Sequence, residues 1–489
     1  MPELGSPHVS KAKGPNLQKI DNLESHHKMK LLKSLVSGAA ALACGSLAFA
    51  ADPAAAINLR LTGATAFRLS VHAAIVQSLD NCQVGYAGTD LGTASQAAFF
   101  GTVKNLPGVP AALVGKSALI KTTWNGSAAG IQAVAQTKVD GANQRLNINF
   151  LDGATATGNT VGVTVSTTSP QTATYTGTLT GGLVGNGNLA AGVVSQTADV
   201  VFADVHQGNT IFAAGTNSYY TSLADYNNGV THTKTFSSLN ETPVGVVVFS
   251  WLRTNSADAT LAGKLVNFTN IDNWKAQLLL TNGQAPLSFF TGVAADSTYP
   301  VFVTGRNADS GTRVTTFAEA GFTAAPWHVK ATVTGTSITD VSDWPDDVVQ
   351  TVYFPSPTSG ESSGGTLVTK IKNNVSATAT YNGAASNPLT VVTTAGIGDI
   401  VAKGGQAFEI KWNGTMYSDE AVRNGQYTFW GYEQMAYNAN VTGDAKSFID
   451  VLAASRIAPQ TTGTCEISGV AINSMKCTRS DIGTLVTPL

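Results

Sequence analysis

Apolar runs of strand length alternate along this chain with segments whose apolar residues return at helical spacing. "INLRLTG" (57–63) precedes "ATAFRLSVHAAIVQSL", "SALIKTTW" (117–124) precedes "NGSAAGIQAVAQ", and "YPVFVTGR" (299–306) precedes "SGTRVTTFAEAG". "ADVVFAD" and "PVGVVVFSW" add two further runs between them. Strand and helix in alternation predict an α/β chain on largely parallel sheet. Most of the helices would begin at a Gly, Ser, Thr or Asn, residues suited to helix N-caps and to tight strand-to-helix turns.

Two regions depart from this rhythm. Residues from about 139 to 197, with "TVGVTVSTTS" and "TATYTGTLTGG", alternate apolar positions with Thr and Gly at a period of two. So do residues from about 325 to 395, with "HVKATVTGTSITDV", "TVYF" and "NPLTVV". Both are expected to be β-rich insertions on the α/β frame.

Composition narrows the class. The 489 residues are 43% hydrophobic and only 12% charged, the profile of a folded and charge-poor globular chain long enough for two domains. "MKLLKSLVSGAAALACGSLAFAADP" (29–53) has a short basic start, an apolar stretch and small residues at Ala48 and Ala50, which predicts a secretory signal peptide over 29–50. Residues 1–28 are then an upstream extension outside the fold, and the mature chain is periplasmic or at the cell surface. Cys44 in "ALAC" offers a lipoprotein alternative. No later stretch has the roughly 20 apolar residues of a membrane span. The chain carries 29 basic and 31 acidic residues, and six of the lysines lie in the leader, so no basic footprint for nucleic acid is present. In an oxidising compartment Cys465 and Cys477 are expected to pair, leaving Cys82 single.

The chemistry gathers in the turns that follow strands. The first turn of a helix exposes unpaired N–H groups at the positive end of its dipole, where an oxyanion binds with little further help. Several such turns here carry short hydroxyl side chains: Thr65 in "TGATAFR", Ser127 in "WNGSAAG", and Ser310 and Thr312 around Gly311 in "RNADSGT". Over most of the mature chain, in order, these segments resemble the periplasmic phosphate-binding proteins of the phosphate ABC transporter. The matching stretches are "LTGATAFR", "NGSAAGIQAV", "ADVVFADV", "PVGVVVFSWLR", "RNADSGTRVTTF" and "AVRNGQYTFWGYEQM". The arginine followed by Ser-Gly-Thr is the most specific of them. Proline, which the family has after the phenylalanine of its first turn, is replaced here by Arg68.

The resemblance implies a type 2 periplasmic binding fold of two domains. Domain I is residues 51–249 and 396–489, carrying the first insertion, and domain II is 250–395, carrying the second, with crossover segments near Ser250 and Ala395. It also implies inorganic phosphate as ligand, an ABC-transporter permease as membrane partner, and anion contacts from Thr65, Ser127, Asp204, Arg306, Ser310, Gly311 and Thr312. Arg306 suits bidentate pairing with oxyanion oxygens, and Gly311 lets the backbone approach closely. Asp204, a carboxylate, fits only a ligand that keeps a proton to donate, as hydrogen phosphate does and sulfate does not.

Other chemistries lack their context. "GESSG" (360–364) matches a nucleophile elbow, but no strand directly precedes it and no histidine follows it, so no enzyme is expected. "GNGNLA" (185–190) lies outside any strand–helix unit and reads as a turn. No group of His, Cys and acids has metal-ligand spacing, and no cofactor is implied. Arg313 reads as surface charge, and His72, His206 and His232 as ordinary surface or core residues. A second expectation stands beside the receptor: a surface or adhesive protein on the same fold, self-associating through the edges of its β-rich insertions.

Overall fold

One mixed sheet of 13 strands organises the computed structural model, which describes residues 52–88, 90–156, 160–168, 170–177, 192–219, 225, 228–321, 329–344, 360–460 and 462–489. The expected signal peptide, the upstream extension, "GNGNLA" and "TVYF" lie outside the described residues. Its strands are β1 (Ile57–Gly63), β2 (Leu79–Tyr86), β3 (Gln96–Val103), β4 (Ser117–Thr123), β5 (Val200–Ala203), β6 (Asn240–Arg253), β7 (Asn270–Ile271), β8 (Gln284–Pro286), β9 (Pro300–Val303), β10 (Thr390–Gly396), β11 (Glu409–Trp412), β12 (Trp430–Tyr437) and β13 (Gly469–Val470). The main order is β8-β9-β10-β6-β12-β5-β1-β4-β3-β2, with β11 and β13 against β6 and β7 against β11. The chain is α/β as its apolar rhythm predicts, but the sheet is not largely parallel as expected. Of the nine pairings in the main order three are parallel and six antiparallel, because an apolar run does not reveal the direction of its partner strand.

Parallel pairing is confined to two places in the main order. β1 lies between β4 and β5, and β9 runs beside β10. Between these parallel groups sit the antiparallel strands β6 and β12. The 14-residue β6 bonds β12 through residues 240–248 and β10 through residues 249–253, with Ser250 opposite Ala395. One strand therefore pairs with β12 along its first part and with β10 along its last.

Helices follow the parallel strands. After β1 comes α1 (Arg68–Ser78), after β4 comes α2 (Ser127–Ala135), and after β9 comes α3 (Gly311–Glu319). α4 (Gly364–Ile371) precedes β10, and the short α5 (Ile397–Ala402) follows it without a break. The sheet is buried along almost the whole length of β1, β4 and β10 and over Val244–Leu252 of β6, and its core includes Trp251, Trp412, Trp430, Phe67, Phe202 and Phe249. Burial of such side chains contributes roughly 1.5–3 kcal/mol each relative to exposure, so this sheet is the rigid platform from which the helix starts project.

The two insertions exist but are bounded differently. In the first, Asn147–Leu151 pairs with Val193–Thr197 and Val161–Val165 pairs with Ala173–Gly177, as small two-stranded sheets. A separate four-stranded sheet joins Gly215–Tyr219, His232–Phe236, Gln136–Val139 and Ala142–Asn143. In the second, Val329–Thr334, Ser337–Asp343, Asn374–Tyr381 and Ala384–Ala385 form a four-stranded sheet. The expected range to about 395 runs too far, because β10 is a strand of the main sheet, buried at every position. Thr390 meets Thr254 and Thr394 meets Thr316, each at 2.8 Å within the core, and Thr393 is buried as well, so a Thr-rich alternation here signalled burial on both faces.

The expected Cys465–Cys477 bridge is not formed: Cys82, Cys465 and Cys477 are all free and buried. Residues 469–470, as β13, are held against β6 between the two cysteines. Cys465 packs toward Gly245, whereas Cys477 directs its thiol to the carbonyl of Val422 and packs on Gly425. Spacing in the chain brought them near in sequence, but the intervening strand sends them to different neighbours.

Candidate functional site

The starts of α2 and α3 meet head to head. α2 begins after Gly126, whose φ of 111° is open to glycine and strained for other residues. A Cβ on Gly126 would overlap the Asp309 carbonyl oxygen. That carbonyl instead accepts from Ala128 N at 3.0 Å and Ala129 N at 3.3 Å, satisfying two of the N–H groups a helix start leaves unpaired. Neither helix is capped by a side chain of its own cap residue. Ser310, the cap residue of α3, is buried with no hydrogen-bond partner for its Oγ.

The residues singled out in the sequence gather at this junction. Ser127 Oγ donates to Asp204 Oδ1 and accepts from the backbone N–H of Asp204 at 3.3 Å. Gly311 sits directly over that pair, since a Cβ there would overlap Asp204 Oδ1 and come within 2.8 Å of Ser127 Oγ. Arg306 Nη1 donates to Thr65 Oγ1 at 3.0 Å, reaching across from the strand–helix turn after β9 to the one after β1. Its Nε and Nη2 donate to the carbonyls of Glu361 and Ser362 at 2.9 and 3.0 Å. Thr312 is buried on the first turn of α3. Because Gly311 is the only residue type that fits over Asp204, Gly311→Ala is expected to cost about 1–3 kcal/mol through overpacking, read as a lower urea midpoint with an unchanged slope.

Thus "GESSG" is a brace for Arg306. Arg306 pairs with Glu361 as an isolated parallel bridge, Ser363 caps α4 by accepting from Thr366 N at 3.1 Å, and Glu361 is held by Lys370 at 2.6 Å. Arg313, expected at the surface, is buried and donates to the carbonyl of Arg306 at 3.0 Å. Its guanidinium lies over the ring of Phe317, 5.2 Å from the ring centre, so the charged end is held by the aromatic face while it props the backbone that carries Arg306.

Burial sets the electrostatics. Desolvation pushes the Asp204 carboxyl up to about 6, although the Ser127 hydrogen bond and the Arg306 charge favour its ionised form. The same burial lowers Arg306 to about 10 against the pull of Asp399 and Asp204, which leaves it cationic at neutral pH. Asp309 is raised by burial. Two positive helix ends and a buried guanidinium in contact call for negative charge, and Asp204 and Asp309 supply part of it.

Three charged residues that sequence reasoning did not select stand beside these. Glu433, on β12 opposite Gly245, is wholly buried with both carboxylate oxygens unpartnered. Burial and the neighbouring Asp204 hold its carboxyl well above the ordinary value. Arg68 and Asp399 are both buried and pair at 3.3 Å. Each carried a faint signal: an acid inside the apolar "WGYEQM", an arginine in place of proline, and an acid in the first turn after "TTAG". His72 belongs to the core: Trp124 Nε1 donates to its Nε2 at 2.8 Å, so its Nδ1 carries the proton toward Leu91 O at 2.9 Å. Among the described residues no group of His, Cys and acids is arranged to hold a metal ion, and no helix is long and apolar enough to cross a membrane.

No family model and no curated protein matches the chain. Among solved structures it is similar to one from Clostridium perfringens described as a phosphate ABC transporter substrate-binding protein with bound phosphate, at 12% identity and a TM-score of 0.33, covering 81% of this chain and 93% of that one. A phosphate-binding protein from Stenotrophomonas maltophilia gives 12% identity and a TM-score of 0.32 over 84% of this chain and 88% of that one. An ABC-type phosphate transport receptor from Vibrio cholerae gives 15% identity and a TM-score of 0.25, covering 53% and 75%. Superpositions this loose assign no residue its role; that rests on the geometry above.

Proposed function

We propose that this chain is an exported solute-binding protein that captures inorganic phosphate between two lobes, 51–249 with 396–489 and 250–395, and delivers it to an ABC-type membrane permease. The observation that carries the reading is the buried junction where the starts of α2 and α3 meet Arg306, Thr65, Ser127 and Asp204. Guanidinium, hydroxyl and backbone N–H donors converge there, as a tetrahedral oxyanion requires.

Asp204 favours phosphate over sulfate within that class. A carboxylate can accept a hydrogen bond from a protonated phosphate oxygen, whereas sulfate at neutral pH offers none and would be repelled. In this reading β6, which pairs with both β10 and β12, is where the lobes would hinge on closing around a ligand. Equilibrium dialysis against radiolabelled phosphate, with unlabelled sulfate as competitor, tests the reading. Saturable retention that excess sulfate does not displace is expected; no retention contradicts it.

A further inference from the structure

Arg68 is a second buried guanidinium at the same place, and it is poorly satisfied. It is 4% exposed, and among the described residues its side chain makes one hydrogen bond, Nη2 to Asp399 Oδ1 at 3.3 Å. Its Nε is buried without a partner, and so is Oδ2 of Asp399. Elsewhere this chain builds its ion pairs differently. Arg60 grips Asp199 through Nε and Nη2, both at 2.8 Å. Buried Arg479 also leaves its Nε without a partner, yet its two terminal nitrogens meet Glu319 at 2.7 Å and donate to the carbonyls of Thr428, Trp430 and Thr484, where Arg68 has the single contact to Asp399. A guanidinium taken out of water without such partners is costly, and a structural pair would be expected to close its fork.

The two arginines are bracketed by the same two segments. Thr65, which receives Arg306 Nη1, lies three residues before Arg68 in the turn that leads into α1. Ser362, which receives Arg306 Nη2, lies just before Gly364 and Gly365. A Cβ on Gly364 would overlap Asp399 Oδ2, and one on Gly365 would stand 3.7 Å from Arg68 Nη2. Glycines at the start of α4 thereby leave room for the second charged pair immediately beside the first arginine.

We infer that Arg68 is a second anion-gripping residue of this junction, held by Asp399 and transferred to a tetrahedral oxyanion dianion when one binds. This deepens the phosphate reading and rests on it. Two guanidinium forks on one anion select for double negative charge and for planar, bidentate recognition. Asp399 competes with the ligand for Arg68, which gives the two members of the pair opposite effects on affinity.

Calorimetric titration with inorganic phosphate, run on wild type, Arg68→Gln, Arg68→Lys and Asp399→Asn with a melting curve for each, tests this. Arg68→Gln is expected to weaken phosphate about 10- to 100-fold, the range for a charge-assisted contact. Arg68→Lys should lose roughly tenfold, because the fork is gone while the charge stays. Asp399→Asn should bind phosphate at least as tightly as wild type. If Arg68→Gln binds like wild type, or if Asp399→Asn weakens binding in step with it, the pair is a structural strut and the inference fails. Should Arg68→Gln not fold, Arg68→Lys and Asp399→Asn give the same contrast of sign. Wild type that does not bind phosphate overturns the functional reading and this one together, while binding that depends on Arg306 alone overturns only this one.

Discussion

Arg306→Ala is expected to abolish measurable phosphate binding, a loss of about a thousandfold or more. Removing one partner of a buried, hydrogen-bonded charge contact typically costs 2–5 kcal/mol or more. Arg306 is buried, and Thr65, Glu361 and Ser362 hold all three of its nitrogens in place. It is therefore pre-organised, with little side-chain entropy left to lose when an anion arrives. Because those contacts also brace the 360–364 segment, the alanine variant is expected to melt lower. Arg306→Lys separates the two effects: it keeps the charge, cannot make the fork, and should weaken phosphate by about 30- to 100-fold. Calorimetry beside a melting curve checks both variants.

The second large effect is expected from Asp204→Asn, on stability and on selectivity. The folded-state carboxyl is raised from an ordinary 3.8 to about 6, chiefly by burial. A raised folded value means that the native state holds its proton to higher pH than the unfolded chain does. The contribution is thus complete below the unfolded value and lost as pH rises through the folded one. Above about pH 6 the ionised, buried carboxylate costs roughly 3 kcal/mol relative to its protonated form, about two units at 1.36 kcal/mol each. Asparagine cannot ionise and keeps an oxygen to accept from Ser127. Urea unfolding should show Asp204→Asn near wild type at about pH 4 and more stable by roughly 3 kcal/mol at about pH 8. A difference that does not change across that range would contradict the burial account. The same variant is expected to admit sulfate, since the repelling charge is gone; unchanged discrimination would show that Asp204 does not face the ligand.

Much of this was legible along the chain because it is local. β1 with α1, β4 with α2 and β9 with α3 are each an apolar run closing on a glycine- or hydroxyl-rich turn, and the turns carry Thr65, Ser127 and Arg306 with Ser310, Gly311 and Thr312. What was not legible depends on distance. Arg68 and Asp399 lie 331 positions apart, and Glu433 meets Asp204 only because β12 and β5 are neighbours in the sheet. No window of sequence contains either pairing. Arg313 looked like a surface charge because a buried arginine is recognised by the carbonyl it reaches, and that carbonyl belongs to a fold. The Thr-rich β10 looked like a surface insertion because its period of two does not reveal that both faces are covered. The cysteines show the same limit, since a short spacing fixes neither the direction of the side chains nor what the intervening strand packs against.

The central claim is that the buried junction of α2 and α3 with Arg306 and Asp204 is a phosphate site. Its most direct test is calorimetric titration of the purified protein at neutral pH with inorganic phosphate and, separately, with sulfate. The predicted result is one saturable phosphate site per chain of micromolar or tighter affinity, absent in Arg306→Ala, with no heat from sulfate. Phosphate that gives no binding heat, or that binds equally well to the Arg306→Ala variant, would contradict it.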